Sequence, residues 1–240
     1  MRAIISIFIW IGSLLTTILL FFVVLFLTIL LFPFDKLKKV THAQCFWWSD
    51  AVIGLNPFWT VKVRGLENID HNKTYVIIAN HQSMADIAVL YQIKSQFKWV
   101  AKASLFNVPF IGWCLSLIKH IRLNRGDLAS IKEVYHQASH WLRKGMSVLF
   151  FPEGTRSTTG QMGEFQNGAF KLAIKEKKPI LPICIQGTQE AIPKGSWIFN
   201  IKMAGVVTVL PAISTDGYGP GDFSTLRDIV RFKIGETLLS

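Results

Sequence analysis

Thr74-Tyr75-Val76-Ile77-Ile78-Ala79-Asn80-His81-Gln82-Ser83-Met84-Ala85-Asp86 runs from an apolar, β-branched segment straight into polar residues. Its first six residues read as a buried strand, and Ser83 to Asp86 has the spacing of a capping box, which predicts a helix opening near Ser83. A strand end that opens into a helix is where α/β sheets place reactive groups. On one continuous helix, residues five apart point about 140° away from each other, because each residue turns about 100°. His81 can therefore meet Asp86 only if it sits in the turn. Asp86 has two readings at this point: a helix cap, or a carboxylate that fixes the tautomer of His81 and raises its basicity for proton abstraction.

Outward from this stretch the same alternation continues. Thr60 to Arg64, Lys98 to Ala101, Ile121 to Leu123, Ser147 to Phe151, Ile180 to Ile185 and Val206 to Leu210 read as further strands. Asp127 to Lys144 is the clearest helix, with Ile131, Val134, Tyr135, Ala138, Trp141 and Leu142 on one face, Asp127 as cap and Gly145 as stop. Asn167 to Lys175 and Phe223 to Leu239 are further helices. Strands separated by helices predict an α/β domain over residues 60–240, with a mixed, partly parallel sheet flanked by helices. Gly217 to Gly221 reads as a turn, since the spacing of a nucleotide-binding glycine fingerprint is missing.

A second motif, Phe150-Phe151-Pro152-Glu153-Gly154-Thr155-Arg156-Ser157, also lies immediately beyond an apolar strand. Arg156 offers a planar fork suited to phosphate, Gly154 lets backbone N–H groups approach an anion, and Thr155 adds a hydroxyl donor. The plain alternative is a turn with a surface ion pair between Glu153 and Arg156. A third region, Lys102 to Arg125, contains Phe106-Asn107-Val108-Pro109-Phe110-Ile111-Gly112-Trp113, which reads either as core or as the floor of an acyl groove. Lys102 and Arg125 bracket it, within reach of a phosphate or simply solvated. No Gly-x-Ser-x-Gly elbow occurs, so a hydroxyl activated by His81 belongs to a substrate. His136 and His140 are four apart, like a metal pair, but lack a third ligand in register, and no metal is expected.

From Ala3 to Phe34 no residue is charged; as a helix this run would reach about 48 Å, beyond the ~30 Å hydrocarbon core. Residues 1–59 are expected to form a membrane anchor, either one spanning helix or a helical hairpin in one leaflet. Gly12, Ser13, Thr16 and Thr17 are a possible bend, and Phe46 to Trp59 an interfacial stretch. A cleaved signal peptide is rejected on length. Lys36, Lys38 and Lys39 follow the run where only Arg2 precedes it, which predicts the α/β domain on the cytoplasmic face. Over 240 residues, 26 Lys and Arg against 15 Asp and Glu give a net charge of +11. Beside a membrane anchor that charge favours anionic lipid headgroups over nucleic acid, although many membrane proteins are basic for topology alone. Cys45, Cys114 and Cys184 have neither zinc nor disulfide spacing.

Taken together, the motifs from Asn80 to Gly187 resemble the glycerolipid acyltransferase family that includes the 1-acylglycerol-3-phosphate (lysophosphatidic acid) acyltransferases. His81 and Asp86 match its His-x4-Asp motif; Phe106 to Phe110 leading to Arg125, Phe151 to Arg156, and Leu181-Pro182-Ile183 are similar to its other blocks. Asn124 stands where members often carry an acidic residue. The resemblance implies His81 as base, Asp86 as its orienting partner, Arg156 and Lys102 as phosphate contacts, and Arg125 as a further acceptor contact, with Glu153 and Gly154 shaping the pocket. It implies transfer of an acyl group from acyl-CoA or acyl carrier protein to lysophosphatidic acid, with no cofactor. Glycerol 3-phosphate or another lysophospholipid as acceptor, a hydrolase and a lipid-binding scaffold are the competing readings.

Overall fold

The computed structural model describes residues 2–156, 161–193 and 195–239. In chain order the elements are α1 (Arg2–Leu30), α2 (Lys39–Gly54), β1 (Trp59–Arg64), β2 (Val76–Ala79), α3 (Asp86–Leu90), β3 (Phe97–Lys102), α4 (Ile111–Leu117), β4 (Ile121–Leu123) and α5 (Leu128–Arg143). β5 (Ser147–Phe150), α6 (Gly168–Glu176), β6 (Ile180–Gln186), β7 (Met203–Val209) and α7 (Phe223–Leu239) complete the chain. All the expected strands and helices of the α/β domain are present, and the sheet is mixed as expected. Its order is β1-β7-β6-β2-β5-β3-β4, with β6 and β7 antiparallel and every other neighbouring pair parallel.

Because β2 lies at the centre of this sheet, both of its faces are buried, which explains its unbroken apolar run. Ile77 and Ala79 point into one core, shared with α1 to α4, while Val76 and Ile78 point into a second core under α5, α6 and α7. The α5 helix follows its sequence signals. Asp127 Oδ1 accepts the Ala129 N–H at 2.9 Å, Val134, Ala138 and Leu142 are buried, and Gly145 takes φ 81° beyond the last turn. His136 and His140 lie exposed on it.

The small residues in α1 do not bend it: the helix is unbroken from Arg2 to Leu30. Gly12 instead lets Leu55 approach, since a Cβ there would stand 2.6 Å from a Leu55 methyl. The Thr16 and Thr17 hydroxyls donate to carbonyls in the preceding turn, at 2.9 and 2.6 Å, so they leave no unpaired donor in an apolar setting. One side of α1 packs on protein over most of its length. Trp10 Nε1 donates to the Trp197 carbonyl, Ser6 Oγ accepts the Phe199 N–H, Trp48 Nε1 donates to Thr17 Oγ1, and Phe21 meets Phe110 and Trp113 edge-on or tilted. The opposite side exposes Phe8, Ile11, Leu15, Leu19, Phe22 and Phe26. By length and composition α1 could cross a membrane.

Lys98, read only as a strand residue, is fully buried on β3, one strand in from the β4 edge of the sheet. Its Nζ donates to the Ile118 carbonyl at the end of α4 at 2.7 Å and sits 5.0 Å from the centre of the Trp141 ring. Burial pushes its pKa down from 10.5 to about 7, and burial also holds the neighbouring His120 well below its ordinary value. Both shifts are depressions of a basic group, so the unfolded chain binds protons that the folded chain refuses. Stability from Lys98 therefore rises with pH between about 7 and 10.5. Thermal unfolding of detergent-solubilised protein should show this rise across about pH 7 to 8, below the range where the buried thiols of Cys45, Cys114 and Cys184, each raised to about 12, oppose it, and Lys98→Met should flatten it.

Candidate active site

The parallel strands β6, β2, β5, β3 and β4 all end at one edge of the sheet. His81 follows β2, Glu153 to Arg156 follow neighbouring β5, Lys102 ends β3, Arg125 follows β4 and Thr188 follows β6. Strands stand about 4.8 Å apart, so β2 and β4 are separated by about 14 Å. The motifs thus share an edge, although 72 positions separate His81 from Glu153, because crossover connections return each parallel strand in the same direction.

His81 sits in the turn between β2 and α3. Its Nδ1 lies 2.6 Å from Asp86 Oδ2, and the same oxygen accepts the N–H groups of Gln82 at 2.7 Å and Ser83 at 2.9 Å. The helix opens at Asp86, three residues later than expected, because only half of the capping box forms. The Asp86 carboxylate reaches back to the Ser83 N–H, but Ser83 Oγ bonds the Ala85 N–H rather than capping the helix. Asp86 is fully buried and its second oxygen, Oδ1, is 2.5 Å from Thr188 Oγ1. A carboxylate accepts only, so Nδ1 carries a proton and, in the neutral imidazole, Nε2 keeps its lone pair. Nε2 has no hydrogen-bond partner among the described residues, and the His81 side chain is 17% exposed.

The backbone around His81 is fixed from both neighbouring strands. Glu153 Oε1 accepts the His81 N–H at 2.7 Å, Glu153 Oε2 accepts the Gly163 N–H at 2.7 Å, and the Phe151 ring stacks on the imidazole with centroids 4.2 Å apart. On the other side the buried Asn80 side chain bonds both the carbonyl and the N–H of Ile185, at 2.8 and 2.7 Å, extending the β2–β6 ladder past the end of β2. Gly154 takes φ 70°, a conformation that favours glycine, and its N–H closes the turn on the Phe151 carbonyl. Thr155 is exposed and Arg156 half-buried beyond it. Ser157 lies outside the described residues.

Lys102 and Arg125 are exposed at the same edge, two and three strands from His81. Between them Arg122 lies over the Phe106 ring, 4.7 Å from its centre. Thr188 and Gly163 were not singled out in the sequence. The signal for Thr188 was its place just past a strand of the same parallel set; Gly163 had none.

A central parallel strand that delivers a carboxylate-bound imidazole, beside a Glu-Gly-Thr-Arg turn on the next strand, defines an α/β protein with a His–Asp pair at its sheet edge. The chain belongs to the acyltransferase family, whose profile matches residues 60–186. It is 36% identical over 207 residues to the chloroplastic 1-acyl-sn-glycerol-3-phosphate acyltransferase BAT2 of Brassica napus, covering 85% of this chain and 58% of that protein. It is 36% identical over 195 residues to a 1-acyl-sn-glycerol-3-phosphate acyltransferase of Pseudomonas aeruginosa, covering 80% and 72%. The chain spans about half the length of the chloroplastic relatives it matches. The crystal structure of the 1-acyl-sn-glycerophosphate acyltransferase PlsC from Thermotoga maritima superimposes with a TM-score of 0.85 at 25% identity, over 99% of this chain and 96% of that one.

Asn80→Leu should leave the N–H and carbonyl of Ile185 buried and unpaired. The expected loss is about 2 to 6 kcal/mol, from about 1 to 3 for each orphaned group, read as a lower unfolding midpoint in detergent.

Proposed function

We propose that this chain transfers a fatty acyl group from an acyl thioester, of coenzyme A or acyl carrier protein, to the free 2-hydroxyl of 1-acylglycerol 3-phosphate, giving phosphatidic acid. The observation that carries the reading is the 2.6 Å contact between His81 Nδ1 and Asp86 Oδ2, made at the sheet edge that also presents Arg156. Relatives named for this reaction, matching most of the chain, support the acceptor.

In this reading the acceptor hydroxyl donates to Nε2 of His81. As its oxygen attacks the thioester carbonyl, His81 takes the proton, Asp86 offsets the developing imidazolium charge, and the tetrahedral intermediate expels the thiolate, to which the proton is returned. Arg156 and Lys102 bind the acceptor phosphate, Arg125 adds a further acceptor contact, and Gly154 and Thr155 shape the loop that receives it. Glu153 acts through the backbone of His81.

Residues 1–59 serve as the membrane anchor and 60–240 as the catalytic domain, set on the cytoplasmic face. A spanning helix would be surrounded by lipid, whereas α1 is backed by protein from Ser6 to Val24 and exposes an apolar strip along the opposite side. That asymmetry favours a helical pair lying in one leaflet, with anionic headgroups available to Lys36, Lys38 and Lys39.

Purified protein incubated with lysophosphatidic acid and labelled acyl-CoA or acyl carrier protein in mixed micelles should form labelled phosphatidic acid. His81→Ala should lower kcat by about 10² to 10⁴ or more without releasing the protein from membranes. Near-normal turnover would refute the base assignment, and free fatty acid appearing without acceptor would indicate hydrolysis. Arg156→Ala removes a charge-assisted contact of about 1.5 to 3 kcal/mol, so the acceptor KM should rise roughly tenfold to a hundredfold. A change confined to the donor KM would reassign Arg156.

A further inference from the structure

Asp86 is the carboxylate bound to the imidazole ring of His81, while Glu153 accepts the His81 backbone N–H, and the two oxygens of Asp86 are held differently. Oδ2 collects the imidazole N–H and two backbone N–H groups, all from the same turn. Oδ1 has a single partner among the described residues, the hydroxyl of Thr188, 102 positions away in sequence and completely buried. An ionised carboxylate cannot donate, so the hydroxyl does, and its hydrogen is fixed toward Oδ1.

The hydroxyl is held by a rigid frame. Gly187 takes φ 76° and presses against β7 so closely that a Cβ would stand 2.1 Å from the Ala204 carbonyl oxygen. The short 3-10 turn Thr188–Glu190 then closes through Glu190 N–H to Gly187 O and Ala191 N–H to Thr188 O, at 3.1 and 3.0 Å. Three residues earlier, Asn80 clips Ile185 to the end of β2, the strand that leads into His81. The frame serves Asp86 from outside its own turn.

We infer that Thr188 is a positioning residue for the His81–Asp86 pair: its hydroxyl holds the second carboxylate oxygen and thereby sets both the orientation of the pair and its readiness to take a proton. This rests on the reading of His81 as general base. By donating to Oδ1, Thr188 favours the ionised carboxylate and moderates its pull on the Nδ1 proton. Without that donor the coupled pair gains a proton more readily, whichever member holds it, and a protonated pair cannot act as base.

The test is the pH dependence of kcat/KM for the full chain in lysophosphatidic acid mixed micelles, with Thr188→Val, Thr188→Ser and His81→Ala beside the wild type. Valine keeps the shape and loses the hydroxyl; serine keeps the hydroxyl. Thr188→Val should move the acidic limb up by roughly one to two pH units and lower the plateau by roughly tenfold to a hundredfold, with the acceptor KM unchanged. Thr188→Ser should keep the wild-type limb. A valine limb at the wild-type pH, or a serine variant as impaired as valine, overturns the proposal, because a merely structural role would depress activity at every pH alike. If His81→Ala stays fully active, the base reading itself fails; if His81→Ala is inactive and the valine limb is unmoved, only the role of Thr188 fails. Should circular dichroism show the valine variant unfolded, Thr188→Cys replaces it. Its weaker thiol donor should place the limb between wild type and full loss, and a wild-type limb there overturns the proposal equally.

Discussion

A carboxylate with no exposed surface, Asp86, organises this protein. Removing such a group from water is costly unless its lone pairs are met, and here they are met by His81 Nδ1, the N–H groups of Gln82 and Ser83, and Thr188 Oγ1. Two of those donors are backbone groups of the turn after β2, so satisfying the charge bends the chain into the conformation that presents His81. The fourth donor lies beyond β6, so the same charge also ties two strands together at their ends. Folding and site geometry are satisfied by one set of hydrogen bonds.

The surrounding groups repeat this economy of placement. Glu153, at the end of β5, accepts the backbone N–H of His81, and Phe151 covers the imidazole face. Asn80 does the corresponding work toward β6. His81 is thus held through its ring, its face and its backbone, leaving Nε2 as the ring nitrogen without a partner among the described residues. A proposed base that must meet a hydroxyl in a narrow range of distance benefits from rigidity at every other point.

The alternation of strand and helix was legible because β2, β5 and β6 are buried on both faces and therefore read as apolar runs, and because Asp127 and Gly145 mark the ends of α5. His81 and Asp86 were legible as a pair because their spacing leaves one way for them to meet. What spacing could not reveal were partners brought in by the sheet order, which depends on crossovers rather than neighbours: Thr188 for Asp86 and Ile185 for Asn80. Lys98 was hidden for a related reason, since lysine in a strand is ordinarily at the surface and only the end of α4 and the Trp141 ring make its burial tolerable. The small residues of α1 misled in the opposite direction. Gly12 signals a bend by propensity, but the presence of Leu55 turns it into a contact point.

The arrangement of charge and grease at the sheet edge suits the lysophospholipid acceptor of the proposed function. Lys102 ends β3, and the chain then passes through a 3-10 turn to Val108, Ile111 and Trp113, all exposed and apolar, with Trp113 and Phe110 against Phe21 of α1. The cationic side of the edge, on β5, β3 and β4, therefore passes within a few residues into an apolar surface continuous with the anchor. For an acceptor with a phosphate at one end and an acyl chain at the other, such a boundary allows the headgroup to meet Arg156 and Lys102 while the chain stays in an apolar environment. Full extraction of an acyl chain would forfeit about 0.8 kcal/mol for every methylene exposed to water, so the distance between anchor and site sets the energetic barrier to substrate entry. Packing α1 directly onto α4 keeps that distance short, which, with α1 as the proposed anchor, is a physical reason for it to be part of the folded domain rather than a tether.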